Sequence, residues 1–195
     1  ATAVLYDESN SPLQNISPGR NVYVTAVEQS SEGLWVANYQ ATFPYHLLLP
    51  DNNWESFSFA QGVSRYPTTL AVDVNGSVWA PQSASRGGGI FVFNTRENEH
   101  TYLTDIPNVG GLPNKNVNAI VMDRDGAVWV GMEAGVAYFV NPYSVFSSNV
   151  NAVRPIFENR YLLRDEKVTA IEVDGGNRKW IGTERGVWLF NPTGE

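Results

Sequence analysis

The chain has 195 residues, of which 20 are acidic and 13 are basic, so its formal net charge is −7. This acidic balance argues against nucleic acid or a membrane surface as a partner, because phosphate backbones and anionic lipids attract positive patches. The absence of cysteine excludes disulfides, a cysteine nucleophile and a thiolate metal site. No apolar stretch approaches the ~20 residues of a membrane-spanning helix, so we expect no direct membrane insertion of this segment.

The first predicted element is an initial strand within residues 1–16. Residues 2–7, Thr-Ala-Val-Leu-Tyr-Asp, have the composition of a strand that stands alone before a repeat array. Four repeat units then follow in chain order. Their predicted bounds are 20–60, 67–105, 115–164 and 166–195.

The third unit shows the repeat most clearly. Residues 117–123 alternate apolar and polar side chains and predict a strand, which an Asp-Arg-Asp-Gly turn ends. A second strand at 127–131 and a third at 136–140 follow, separated by another turn. The fourth unit copies this order closely, and the first two units are looser copies.

A tryptophan that follows a turn marks every unit. A period of roughly 40 to 50 residues built from short strands is typical of a β-propeller blade, so we predict an all-β chain of about four blade-like repeats. We expect the tryptophans to fill space between blades, each with its ring N–H bonded to a neighbouring strand. The alternative is a set of stacking platforms for sugar rings. The repeat residues are Trp35, Trp79, Trp129 and Trp180, the glycines Gly33, Gly76 and Gly126, and the aspartates Asp73, Asp123 and Asp174.

The fourth unit resembles the repeat of the two-component regulator propeller family. That repeat has the pattern Asp-x-x-Gly-x-x-Trp-x-Gly-Thr-x-x-Gly-apolar. Residues 174–187 run Asp-Gly-Gly-Asn-Arg-Lys-Trp-Ile-Gly-Thr-Glu-Arg-Gly-Val, and residues 123–135 resemble the pattern with Met132 where threonine is usual. The second unit lacks the Gly-Thr pair, and the first keeps only one glycine and the tryptophan.

Two kinds of protein carry such repeats: the extracytoplasmic sensor half of hybrid histidine kinases in gut Bacteroidetes, and PorZ-type propeller proteins of the type IX secretion attachment complex. The Asn-Arg-Lys-Trp variant at 177–180 is more similar to the PorZ type. The resemblance implies a non-catalytic module, in the periplasm or at the cell surface, that handles surface glycolipid or partner proteins. The alternative is a periplasmic propeller that senses glycans for a kinase.

The resemblance also favours an open arc, part of a larger propeller, over a small ring that the initial strand closes on the fourth unit. Unpaired blade edges would then invite self-association of the chain.

In a propeller, the links between the second and third strands of all blades lie on one face, opposite the Asp-Gly turns; we call it the link face. The links at 38–45 and 81–89 are longer than a turn needs, which is more often functional, although solvent loops without a role are the alternative. Aromatic rings stack on sugar faces, and guanidinium groups hold carboxylate or phosphate, so this face suits an anionic surface glycan. The predicted binding residues are Tyr39, Phe43, Tyr45, His46, Arg86 and Arg185.

Residue sets for catalysis or metal binding are not evident. A sialidase-like hydrolase is the third hypothesis, but its Asp-box needs Asp-x-Gly before the aromatic residue, whereas the order here is Asp125-Gly126 or Asp123-x-x-Gly126. A calcium-loop register that starts at Asp123 places apolar and aromatic side chains at ligand positions. His46 and His100 lack any short metal spacing, and neither a nucleophile elbow nor a phosphate-binding loop occurs. We therefore predict no catalytic residue, no metal and no cofactor.

Overall fold

The computed structural model describes residues 3–17, 20–59 and 62–191. Its strands form sheets that follow one another along the chain. The first sheet contains β1 (Val24–Gln29), β2 (Leu34–Asn38), β3 (Tyr45–Leu48) and β4 (Trp54–Phe57). The second contains β5 (Ala71–Val72), β6 (Val78–Pro81), β7 (Ile90–Asn94) and β8 (Glu99–Leu103).

The third and fourth sheets have three strands each in the part of the chain that the structure describes. The third contains β10 (Val117–Met122), β11 (Val128–Met132) and β12 (Gly135–Phe139). The fourth contains β16 (Val168–Val173), β17 (Lys179–Thr183) and β18 (Gly186–Phe190).

Short elements connect these sheets. A parallel pair joins β9 (Val109–Gly110) to β13 (Val150–Asn151), and a hairpin joins β14 (Ile156–Phe157) to β15 (Arg160–Tyr161). The 3₁₀ turns are Gly62–Arg65, Ala84–Arg86 and Pro142–Phe146. No helix among the described residues is long and apolar enough to cross a membrane.

Each sheet corresponds to one repeat unit, with neighbouring strands antiparallel. The first strand carries the same register shift in three sheets, next to Val24, Val117 and Val168. This shared irregularity shows that the units repeat in backbone geometry as well as in sequence. The unit bounds themselves stay a prediction, and their residues 60 and 192–195 lie outside the described residues.

The tryptophan-bearing face of each of the first three sheets packs on the opposite face of the next sheet. Each of three tryptophans contacts a phenylalanine in the third strand of the following sheet. The ring pairs are Trp35–Phe93, Trp79–Phe139 and Trp129–Phe190, with centroids 5.5, 5.2 and 5.9 Å apart. Three buried apolar clusters therefore lie between successive sheets.

The fourth sheet has no following sheet within the described residues. Trp180 is 41% exposed, whereas Trp129 is 3% exposed, and Val187 beside it on the same face is 70% exposed. Trp180 thus does not fill space between two blades here, because no sheet formed by the described residues packs on its face. The fold is that of a β-propeller whose ring is open, as the arc prediction requires; self-association through the open edges stays a prediction.

The predicted initial strand is not formed in its described part. Residues 3–14 pair with no strand, and Val4 and Leu5 are exposed. The backbone instead turns at Asp7, whose carboxylate accepts the backbone N–H of Ser9 at 2.8 Å. An apolar run without an adjacent strand edge gains no ladder hydrogen bonds, which explains the difference from the sequence prediction. Residues 1 and 2 lie outside the described part.

Candidate functional site

The turn aspartate of each of the last three sheets binds the tryptophan six residues later. Asp73 accepts backbone N–H groups of Asn75 and Ser77 through Oδ1, at 2.8 and 3.0 Å, and the indole N–H of Trp79 through Oδ2 at 2.8 Å. The matching indole bonds are Trp129 to Asp123 at 2.9 Å and Trp180 to Asp174 at 3.0 Å. The ring N–H therefore bonds to the turn of its own hairpin, not to a neighbouring strand as predicted.

The first sheet lacks this arrangement. Ser30 replaces the aspartate, and its hydroxyl accepts the backbone N–H groups of Glu32 and Gly33 at 3.1 and 3.3 Å. A hydroxyl has no second oxygen for the indole, and the buried Nε1 of Trp35 has no hydrogen-bond partner among the residues that the structure describes. The aspartates and tryptophans of the repeat thus shape the turns, on the face opposite the links.

Two tyrosines of the first sheet meet on the link face. Tyr23 precedes β1 and Tyr39 follows β2, and the antiparallel pairing of these strands brings the two together. The backbone N–H of Tyr39 donates to the carbonyl of Tyr23 at 2.8 Å. Their rings lie edge to face, with centroids 5.5 Å apart at 62°.

The second sheet extends this contact. The ring of Tyr66, which precedes β5, lies 5.6 Å from that of Tyr39 at 65°. Arg86, in the link after β6, places its guanidinium carbon 4.9 Å from the Tyr66 centroid. We call these four residues the tyrosine row: Tyr23, Tyr39, Tyr66 and Arg86.

Buried polar side chains hold the row in place from below. Gln82, 1% exposed, accepts the backbone N–H of Tyr66 through Oε1 at 3.0 Å and donates to the Tyr45 hydroxyl at 3.1 Å. Tyr45 in turn donates to the carbonyl of Ser64 at 2.9 Å. Tyr45 therefore positions the row and does not touch a ligand, since its ring is fully buried. Burial raises the pKa of its hydroxyl far above the usual range, which keeps it neutral.

His46 also lies inside the molecule, contrary to the predicted surface role. The prediction placed it on the link face, but it belongs to β3, whose two faces are both covered. Its Nδ1 is 2.9 Å from the hydroxyl of Ser56. Burial lowers the pKa of His46 to about 4, against a smaller opposite effect of the Phe43 backbone. The imidazole is therefore neutral at pH 7.

A cavity of about 430 Å³ opens beside the row. Five of its six lining residues carry hydroxyl groups, and the sixth is Val24. The hydroxyl residues are Tyr23, Thr25, Tyr39, Thr68 and Ser83. Ring edges, hydroxyls and a nearby guanidinium can bind a polar ring that bears a negative charge. Carboxylate, imidazole and amine groups, which acid–base catalysis uses, are not among the described residues that line it.

The remaining two predicted binding residues lie outside the row. Phe43 is partly exposed, and its backbone N–H donates to the side chain of Gln14 at 3.1 Å. Arg185 lines a different cavity, in the fourth sheet, that shares no lining residue with the one beside the row. Of the six predicted residues, the structure places Tyr39 and Arg86 in one site, where each contacts the ring of Tyr66.

Tyr23, Tyr66 and Gln82 were not predicted. Tyr23 and Tyr66 occupy equivalent positions in the two repeats, because the residue after each pairs with the residue three places after the unit's tryptophan: Val24 with Asn38, and Pro67 with Gln82. Gln82 stands where the repeat pattern has threonine. Comparing equivalent positions across units was the signal that could have found all three.

Comparisons with known proteins agree with the repeat pattern. Residues 111–134, which include β10 and β11, match the family model described as two component regulator propeller. This confirms the resemblance that residues 123–135 predicted. Comparison with curated proteins finds no match.

Solved structures share the fold. PorZ, a bacterial surface component of the type IX secretion system of Porphyromonas gingivalis, is 26% identical with a TM-score of 0.79, over 96% of this chain and 28% of PorZ. The extracellular domain of a protein described as a hybrid two-component system of B. thetaiotaomicron is 21% identical with a TM-score of 0.63, over 97% of this chain and 24% of that domain's chain. Virginiamycin B lyase from Staphylococcus aureus is 16% identical with a TM-score of 0.57, over 88% of this chain and 56% of the lyase. The chain thus spans less than a third of the first two.

Proposed function

We propose that this chain is a non-catalytic, extracytoplasmic β-propeller module that binds an anionic surface glycan and acts as a scaffold for surface glycolipid or partner proteins. The observation that carries the proposal is the tyrosine row. Three rings in edge-to-face contact end in a guanidinium group, beside a cavity of about 430 Å³ that hydroxyl groups line.

Each part of the row supplies one element of glycan recognition. Tyr23 is 51% exposed and presents an aromatic surface on which the apolar face of a pyranose ring packs. The hydroxyl groups around the cavity exchange hydrogen bonds with sugar hydroxyls, so that few polar groups of the ligand lose a partner on binding. Arg86 is exposed on the far side of Tyr66, and its guanidinium pairs with a carboxylate or phosphate.

The similar proteins support an extracytoplasmic place. PorZ is called a bacterial surface component, and the similar part of the two-component protein is its extracellular domain. The sequence identity and the TM-score are both higher for PorZ than for the two-component protein, which favours a secretion scaffold over a kinase sensor. The similarity to virginiamycin B lyase, at 16% identity, carries the fold alone.

Calorimetric titration with an oligosaccharide of four uronic acid residues tests the proposal. The matched ligand is its methyl ester, which keeps the rings and removes the charges. We expect saturable binding of the acid, at least tenfold weaker binding of the ester, and recovery of an intact oligosaccharide afterwards.

Two variants locate the binding. Arg86→Glu should weaken binding at least tenfold without lowering the melting temperature. Arg96→Glu, on the opposite face where Arg96 pairs with Glu32, should bind as the wild type does. Equal affinity for the acid and the ester, or an unaffected Arg86→Glu variant, would overturn the proposal.

A further inference from the structure

A second cavity, of about 350 Å³, lies where the link after the third sheet meets the fourth sheet. The β14–β15 hairpin forms one wall, residues 162–166 form the floor, and Arg185 and Trp188 stand on the other side. We call it the arginine cavity, after Arg160, Arg164 and Arg185, which all line it.

This part of the chain departs from the overall acidity. Residues 1–153 contain 13 acidic and 6 basic residues, whereas residues 154–195 contain seven of each. The net negative charge therefore lies within residues 1–153. The arginine cavity lies in this balanced region: Glu158, Asp165 and Glu166 line it beside the three arginines. A negatively charged partner therefore meets less repulsion here than at the acidic preceding part of the chain.

The three arginines differ in what they already bind. Arg160 and Arg164 both contact Asp165, at 3.1 and 3.0 Å. Arg185 lies in the β17–β18 turn, where its backbone N–H donates to the Thr183 hydroxyl at 3.2 Å. Among the described residues, no carboxylate lies within salt-bridge distance of its guanidinium. The pKa of Asp165 lies below its usual value mainly because of the hydrogen bond from Arg164, and the charge of Arg185 makes a smaller contribution. Arg185 is thus the one of the three arginines without a direct ion pair among the described residues, and its guanidinium can pair with a partner.

The β14–β15 hairpin has open backbone edges. Each of its strands has one neighbour among the described residues, namely the other. Glu158 and Asn159 connect them with φ values of 49° and 61°, the left-handed pair of a tight two-residue hairpin turn. An unpaired strand edge presents N–H and C=O groups at strand spacing and is a template for another strand.

The walls are apolar and held in place. Phe157, Tyr161 and Trp188 are each about half exposed at the cavity. The Arg154 guanidinium covers one face of Tyr161 at 3.9 Å, which fixes that ring. The floor is fixed as well. It lies in close contact with the turn before β12, since a Cβ added to Gly135 would lie 2.7 Å from the Leu162 carbonyl oxygen.

We propose that the arginine cavity and the hairpin edge together bind an extended acidic peptide segment of a partner protein. The peptide backbone adds as a strand to the hairpin, one aspartate or glutamate side chain pairs with Arg185, and apolar side chains contact the aromatic walls. A peptide fits better than a glycan, because a free strand edge supplies donors and acceptors in the spacing of another backbone. The inference goes beyond the glycan role of the tyrosine row.

Selection from a random heptapeptide library tests the proposal. The library is selected on the wild-type chain and counter-selected on Arg185→Glu, and the consensus peptide is then synthesised with a fluorescein label for anisotropy titration. We expect an acidic residue at one fixed position with apolar residues around it. Affinity should fall at least tenfold in Arg185→Glu and Arg185→Gln, with the melting temperature unchanged, and should stay the same in Arg86→Glu.

Backbone methylation tests the strand addition separately from the charge. Two versions of the peptide carry N-methyl groups, one on its odd-numbered amides and the other on its even-numbered amides. Since only every second N–H faces the hairpin, one version should bind at least tenfold more weakly and the other nearly as well as the unmodified peptide. No enrichment over the starting library, enrichment of peptides without an acidic residue, equal binding to Arg185→Glu, or equal effects of both methylated sets would each overturn the proposal. None of these results bears on glycan binding at the tyrosine row.

Discussion

Lys179 and Asp123 form an ion pair between the fourth and third sheets that solvent does not reach. Nζ lies 2.9 Å from Oδ2, and the two side chains are 1% and 5% exposed. Burial pushes the pKa of Asp123 upward, but hydrogen bonds from Lys179 and Trp129 outweigh it, so the pKa lies below its usual value. The Lys179 ammonium also stands 5.1 Å from the centroid of the Trp129 ring. The carboxylate therefore stays charged and links the two sheets.

Loss of this lysine should leave a buried charge without its partner. We expect Lys179→Met to lower the free energy of unfolding by about 3–5 kcal/mol, the usual cost of breaking a buried pair. Urea unfolding of the wild type and the variant measures this loss of free energy. Lys167→Met is the matched control: Lys167 is 38% exposed and contacts Glu133 and Glu184, so a loss of at most about 1 kcal/mol is expected. Equal losses in the two variants would contradict this role of the buried pair.

The equivalent tryptophans of the third and fourth sheets should differ in how much they contribute to the free energy of unfolding. Trp129→Ala is expected to cost about 3–5 kcal/mol of unfolding free energy, the range for a buried large aromatic residue. Trp180→Ala should cost less, because its face is open. If thermal stability is unchanged in Trp129→Ala while glycan binding is lost, the tryptophans are sugar platforms and not spacers between blades.

The unpaired indole of the first sheet gives a third prediction. Trp79→Phe removes the donor of a buried carboxylate, whereas Trp35→Phe removes an N–H that has no partner. Both changes lose similar volume, so the difference should isolate the hydrogen bond. Trp79→Phe is expected to cost about 1–3 kcal/mol more than Trp35→Phe, the penalty for an unsatisfied buried group. Chemical unfolding of both variants would show this, and a larger loss for Trp35→Phe would contradict it.

His46 predicts how stability depends on pH. Burial lowers its pKa to about 4 from 6.5, so between these values the unfolded chain binds more protons than the folded one. The free energy of unfolding should therefore fall as the pH drops from about 6.5 to 4, and be unaffected by this group above that range. His46→Gln should make the pH dependence flatter in this window. Parallel curves for the wild type and the variant would show that the histidine does not contribute.

Repetition made most of the fold predictable. The turns and the first three strands of each unit follow from local patterns that recur along the chain. The prediction of an initial strand was wrong because residues 2–7 have the composition of a strand, but their described part, residues 3–7, has no adjacent strand edge to pair with among the described residues. The burial of Lys179 was equally hidden, since its equivalents in the second and third units, Val78 and Val128, are apolar.

The binding site was less predictable, because it depends on which unit neighbours which. Tyr39 and Arg86 belong to different units and meet only through Tyr66, whose role the local sequence does not show. Tyr45 and His46 were assigned to the surface because the link before them is long. The strand that contains them is covered on both faces, an effect of sheet packing that no local pattern reports.

Glycan binding at the tyrosine row is tested most directly by NMR. The chain is labelled with ¹³C at its tyrosines and titrated with the oligosaccharide of four uronic acid residues. The ring signals of Tyr23, Tyr39 and Tyr66 should shift together and saturate, while that of the buried Tyr45 shifts little. Shifts confined to Tyr161 at the arginine cavity, or no saturable shift of any ring in the row, would contradict the claim that the tyrosine row is the glycan site.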